Sequence, residues 1–218
     1  MLCFLLSAGG SAVFKAIELT EIDPSRVFIV SDRKCPALIS AQEKGFDSFL
    51  IEHNDVGTFS NELSFLLSEK KVSALLLLYS KMIGPDIYER FKTYNVHPSI
   101  LPSFPGLGAE KQASEYRALF QGASLHKVDE GIDTGQLIAQ VITPTNKNST
   151  VNTRKKLSYV QKTILTTFFI TMHENPSFLQ IEDFQYLQLA NSLINPGFNN
   201  DKIIKKLCVE FEKELNIY

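Results

Sequence analysis

The stretch VSALLLLY, Val72–Tyr79, decides the fold class. It is apolar at nearly every position, so it lacks the polar alternation of a strand with one wet face. It is also too short for an ordinary helix. Such a run belongs at the centre of a parallel sheet covered on both faces. Toward the N-terminus, similar runs recur at Leu2–Ser7 and Arg26–Ser31, with a shorter one at Ser48–Ile51. Helical patterns separate them: Ala12–Thr20, Ala37–Lys44 closed by Gly45, and the amphipathic Phe59–Glu69. Strands alternating with helices are βαβ units. Toward the C-terminus, Pro85–Phe91 reads as a short helix and Lys92–Val96 as a further strand. The pattern then changes. His97–Ala109 holds three prolines and two glycines and reads as a loop. Gly122–Val128 and Leu137–Thr143 read as strands around the turn-rich DEGIDTG. Thr150–His173 reads as a long helix and Phe178–Ile181 as a strand. Asp201–Leu215 reads as a last helix, with apolar Ile203, Ile204, Leu207 and Phe211. The expected fold is α/β: a Rossmann-like open, mostly parallel sheet with helices on both faces. No Gly/Ser/Pro-rich linker divides the chain. A single domain over 1–218 is expected, with a sheet core at 1–143 carrying the site and a helical part at 144–218.

Composition narrows the class of function. An apolar fraction of 44% and a charged fraction of 21% are those of an ordinary globular protein. The 22 basic and 24 acidic residues leave a net charge of −2, too acidic for a dedicated nucleic-acid binder. No apolar run approaches the roughly 18 residues of a membrane span. MLCFLLSAGG has no basic residue ahead of its apolar run, so it reads as a buried first strand rather than a signal peptide. Cys3, Cys35 and Cys208 are scattered; they give neither a metal-ligand spacing nor a disulfide framework. The expectation is a cytoplasmic protein with small-molecule partners, no nucleic acid, no membrane and no metal. The apolar face of the last helix suits packing within the chain or a dimer seam, so monomer and homodimer both stay open.

Two segments carry chemistry. In NVHPSILPSFPG, Asn95–Gly106, Asn95 and His97 stand two apart at the end of a strand. Residues i and i+2 share a face. An amide and an imidazole therefore project together from a carboxyl end, where open α/β sheets place ligands. Pro98 biases His97 toward extended backbone. By itself the pair also reads as a loop cap and a structural histidine. In HKVDEGIDTGQLIAQ, His126–Gln140, the carboxyls of Asp129, Glu130 and Asp133 crowd a loop with Gly131 and Gly135. A carboxylate near His97 would orient its ring. By itself this segment also reads as an acidic hairpin.

Taken together, N-x-H-P-S-x-L-P-x-x-x-G followed by D-E-G-x-D-T-G resembles the folate-dependent formyltransferase family. SAGGSAVFKAI, which opens at Ser7, and LLYSKMIGPDIYERF, ahead of the Asn95 strand, resemble it as well. The likeness spans about Leu2 to Thr143 and is nearest the branch that formylates glycinamide ribonucleotide (GAR) in purine biosynthesis. The resemblance implies transfer of a formyl group from 10-formyltetrahydrofolate, a co-substrate, to a primary amine. It assigns catalysis to Asn95, His97 and Asp133. It assigns pterin binding to two loops, Ser80, Lys81, Met82 and Ile83, and Asp129, Glu130, Gly131, Ile132 and Asp133, largely through backbone groups, with Asn95 nearby. It assigns the acceptor's phosphate to the turn Gly9, Gly10 and Ser11, where free helix N–H groups suit an anion.

Departures from the family lie on the acceptor side. Ala12 stands where the GAR branch has asparagine. Lys162 stands where it has an acidic residue that binds ribose hydroxyls, and a cation cannot accept hydrogen bonds. LGAEKQAS, after Gly106, replaces a histidine-containing stretch. Three readings follow: a GAR-type enzyme, an N-formyltransferase for an amino-sugar nucleotide, and a catalytically idle, ligand-binding relative.

Overall fold

Leu2–Leu6 (β1) and Val27–Ser31 (β2) are buried at all five positions of each strand, as expected for strands covered on both faces. They belong to a parallel set completed by Asp47–Leu50 (β3), Ala74–Leu78 (β4) and Thr93–His97 (β5). The order is β3-β2-β1-β4-β5, and β1 lies between its partners in register, Phe4 facing Ile29 on one side and Leu76 on the other. The order reverses at β1 and β4, the switch point where such sheets bind ligands beyond their carboxyl ends. This computed structural model describes residues 1–146, 149–175, 186–197 and 200–215. The expected strand Phe178–Ile181 lies outside the described residues.

The chain divides into two compact units. The first holds Met1–Ser11, Ile22–Asn95 and Lys127–Gln136. Its core gathers Cys3, Leu5, Phe28, Val30, Leu75 and Leu77 from the sheet against Phe59, Leu63 and Leu67. Those last three lie on α3 (Val56–Glu69), which follows α1 (Ser11–Thr20) and α2 (Pro36–Glu43) in the chain. Truncating a buried ring such as Phe59 to alanine costs about 3–5 kcal/mol. The α3 helix starts ahead of its apolar pattern because the Asp55 carboxylate accepts from Thr58 N at 2.6 Å and caps it. The short helix Pro85–Tyr88 (α4) leads into β5.

The second unit holds Ala12–Glu21, Val96–His126 and Leu137–Tyr218. Its strands are antiparallel, in the order β6-β7-β9-β8: Phe120–Lys127 (β6), Leu137–Pro144 (β7), Leu187–Leu189 (β8) and Ser192–Asn195 (β9). The open α/β sheet read from the sequence is present, with β8 and β9 in the stretch expected to be helical. Ala109–Glu115 (α5) is a second element the sequence reading left out. The long helix Val151–Glu174 (α6) begins where expected, capped by the Thr150 hydroxyl accepting from Thr153 N at 3.1 Å. The last helix, Asp201–Leu215 (α7), buries Ile203, Leu207 and Phe211 and packs on α6 and β8, so its apolar face is used within the chain.

Candidate active site

Asn95 sits near the carboxyl end of β5, and Asp133 sits in the loop between β6 and β7. The Asn95 amide nitrogen Nδ2 donates to Asp133 Oδ1 at 3.3 Å, joining residues 38 apart in the chain. A carboxylate only accepts, so this contact decides which end of the Asn95 amide faces it. Asp133 holds a left-handed backbone conformation, φ 55. Aspartate tolerates that region better than most residues.

His97 ends β5 and is 5% exposed. Its ring nitrogen Nε2 lies 2.9 Å from the main-chain oxygen of Phe104. A carbonyl can only accept, so Nε2 carries the hydrogen in this contact. The loop between His97 and α5 is held from beneath by two paired strand residues. Ser124 on β6 faces Gln140 on β7 in register. The Ser124 hydroxyl donates to Ser99 O at 2.7 Å and accepts from Leu101 N at 3.0 Å. Gln140 Nε2 donates to Leu101 O and to Ser124 Oγ, both at 2.9 Å. Gly122 lets the loop come this close: a Cβ there would lie 2.5 Å from Ile100 Cγ1 and 2.4 Å from Val141 O.

The loop assigned to the pterin is braced by its own first residue. Asp129 Oδ1 accepts from Gly131 N at 3.1 Å and from the Thr134 hydroxyl at 2.8 Å. Gly131 has no room for a side chain, because a Cβ would meet Thr134 Oγ1 at 2.0 Å. Glu130 is exposed, and so is Ile132 at 60%. In the other stretch, Ser80 and Lys81 are exposed, Ile83 is buried and Met82 is 54% exposed. Each stretch thus offers one open apolar side chain, Met82 and Ile132, suited to a flat ring. The Lys81 ammonium is 2.8 Å from the fully buried Asp32 carboxylate, which Arg33 also grips at 2.9 and 2.6 Å. Burial works against the charged form of Asp32, yet these cations hold its carboxyl below the usual range. Sequence reasoning did not single out Asp32. In the first turn, Gly10 has φ 67, and Gly9 and Ser11 are exposed ahead of α1.

Comparison with known proteins shows the family of the chain. Residues 3–166 match the model of the formyl transferase family. The chain belongs to that family. It is 30% identical over 161 residues to phosphoribosylglycinamide formyltransferase from Bacillus subtilis, covering 68% of this chain and 82% of that protein. It is 32% identical over 154 residues to the trifunctional purine biosynthetic protein adenosine-3 of Drosophila melanogaster. That match covers 64% of this chain and spans only 11% of the fly protein. Among solved structures, phosphoribosylglycinamide formyltransferase from Streptococcus pneumoniae superposes with a TM-score of 0.71 at 27% identity, covering 80% of this chain and 98% of that one.

The positions expected to depart from the family have these surroundings. Ala12 is 6% exposed, and its methyl group offers no polar contact. Lys162 is engaged by Glu110 of α5, whose Oε1 lies 3.0 Å from the ammonium and also accepts from the Ser158 hydroxyl. Burial opposes the charged form of Glu110, but the Lys162 charge and these hydrogen bonds hold its carboxyl below the usual range. Glu110, Ser124 and Gln140 were not read as site residues from the sequence. A polar residue alternating with core residues on β6 and β7 is the signal that would have found the last two. Among the described residues, no group of three His, Cys, Asp or Glu side chains is placed to hold a metal ion. Nor is any helix there long and apolar enough to cross a membrane.

Proposed function

We propose that this chain, acting as one cytoplasmic unit, transfers a formyl group from 10-formyltetrahydrofolate to the primary amine of a small phosphorylated metabolite, with GAR as the first candidate. The observation that carries this reading is the Asn95–Asp133 contact, which unites the two motifs in a chain of the formyl transferase family. The amine attacks the formyl carbon and makes a tetrahedral oxyanion. Asn95 Nδ2 and protonated His97 donate hydrogen bonds to that oxygen, and one such donor is worth about 10²–10³ in rate. Asp133 orients Asn95 and holds the water that passes the amine's proton to the leaving folate nitrogen. The bond to that nitrogen breaks as the new amide forms, so no covalent enzyme intermediate is needed. The two pterin stretches bind through backbone groups, with Met82 and Ile132 against the ring. Gly9, Gly10 and Ser11 receive the phosphate at the start of α1.

A second reading, an amino-sugar nucleotide as acceptor, is favoured by the acceptor side alone. Ala12 offers nothing polar, and Lys162 presents a cation bound to Glu110. The test is a tetrahydrofolate-release assay with purified protein, 10-formyltetrahydrofolate, and GAR or a panel of amino-sugar nucleotides. Turnover with GAR is the expected result. Turnover confined to an amino sugar moves the protein to glycan chemistry. Folate binding without turnover on any amine makes it an idle relative and overturns the proposal.

A further inference from the structure

The geometry points to the main-chain carbonyl of Phe104 as the group that fixes the tautomer of His97, with Ser124 and Gln140 as the positioning residues that hold it there. This rests on the proposed role of His97 in transfer. A neutral imidazole carries its hydrogen on one of two nitrogens, and the partner of one nitrogen decides the state of the other. The Phe104 oxygen, 2.9 Å from Nε2, stabilises only the Nε2–H form. Proton gain and loss at His97 is thereby assigned to Nδ1.

That carbonyl is aimed by an uncommon backbone. Phe104 has φ 55, in the left-handed region that a bulky residue occupies only when its surroundings hold it. The surroundings are visible. Its ring meets that of Tyr116, just past α5, edge to face at 5.8 Å. Ser103 N donates to Ile100 O at 2.9 Å, and the Ser99 hydroxyl donates to Ser103 O at 2.6 Å, immediately before Phe104. Ser99 and Leu101 are in turn tied by Ser124 and Gln140. The Ser124 hydroxyl spends its one donor and both acceptor positions in this network, and Gln140 spends both amide hydrogens. Ser124 is fully buried, so each bond lost leaves a polar group without water. A catalytic imidazole in the wrong tautomer is a large defect even when its position is kept.

The experiment is ¹⁵N-histidine NMR on the full chain, with His97 assigned by its loss in His97→Asn. The neutral imidazole of the wild-type protein is expected to show the Nε2–H tautomer. In Ser124→Ala the His97 signal moves toward a tautomer mixture, and kcat falls by up to about 10²-fold, the loss a misplacement of about 1 Å produces. KM for both substrates stays within about twofold, and Ser124→Thr, which keeps the hydroxyl, recovers the wild-type signal. If Ser124→Ala does not fold, Gln140→Met is the second variant, because Gln140 is partly exposed and removes two of the same bonds. An Nδ1–H tautomer in the wild type overturns the inference. So does a pure Nε2–H signal in a variant whose activity has fallen. Tautomer control without transfer to any amine leaves the inference standing and removes the activity proposed above.

Discussion

Two polar pairs in this molecule invite comparison. Asn95 and Asp133 are joined by one hydrogen bond of 3.3 Å between an amide and a carboxylate. Glu110 and Lys162 are joined by a full ion pair at 3.0 Å, with the Ser158 hydroxyl added. The second pair is the stronger contact by charge, yet the first is the one that motifs disclose. Asn95 and Asp133 lie at fixed places in a strand end and a glycine-bracketed loop. Glu110 and Lys162 lie on two helices 52 residues apart, and no spacing in the sequence links them. Residues set at fixed spacing are legible from motifs; a partner on a distant helix is legible only from the fold.

The sharpest way to break this comparison is to remove the first pair's chemistry while keeping its shape. Asp133→Asn keeps the size of the side chain and tolerates φ 55, so the loop stays folded. It removes the carboxylate that orients Asn95. Transfer is expected to fall by about 10²–10⁴-fold with Tm close to wild type, and His97→Ala by a similar amount with a folded circular dichroism spectrum and a lower Tm, because His97 is buried. Near-normal turnover in either variant removes these residues from the mechanism.

The second pair is tested by charge reversal. Lys162→Glu sets a carboxylate beside Glu110 and removes the attraction that keeps Glu110 ionised. Both side chains are partly open to solvent, 29% for Lys162 and 40% for Glu110, so screening limits the effect. A loss of about 1 kcal/mol is expected, which for a chain of this size lowers Tm by about 2–4 °C. The double swap Glu110→Lys with Lys162→Glu is expected to regain most of it. An unchanged Tm in Lys162→Glu would show that the pair contributes nothing.

Legibility in the sequence followed the same division. Continuous apolar runs gave β1, β2 and β4 away, because buried parallel strands have no polar face to confuse the pattern. The start of α3 lay at Asp55 rather than near Phe59, because a cap, not periodicity, begins a helix. β8 and β9, three and four residues long, are too short for any period to register. α5 follows Gly108, whose left-handed backbone breaks the chain's direction, and its AEKQASE has only two buried positions, Ala109 and Ala113. The Phe104 carbonyl is a backbone group, so no residue type could advertise it.

The smallest effect expected belongs to a third kind of contact, the anchor of α7. Lys202 and Lys206 both bind the Glu21 carboxylate just past α1, Lys206 at 2.7 Å, and Lys206 also donates to Leu19 O at 3.0 Å. The hydrogen bond from Lys202, then that from Lys206, lower the Glu21 pKa from 4.5 to about 2. Because the folded carboxyl titrates below its unfolded counterpart, its contribution is complete above the unfolded value and fades as pH falls from 4.5 toward 2. Glu21→Gln is therefore expected to lower stability slightly above pH 4.5 and to flatten the acid limb across that window, so that the two proteins converge toward pH 2. Added salt should shrink the difference, since exposed charges are screened within about 10 Å at 0.1 M. Urea unfolding of both proteins through this pH range reads the effect. Parallel acid limbs would mean that the apolar face of α7 holds the helix without help from these charges.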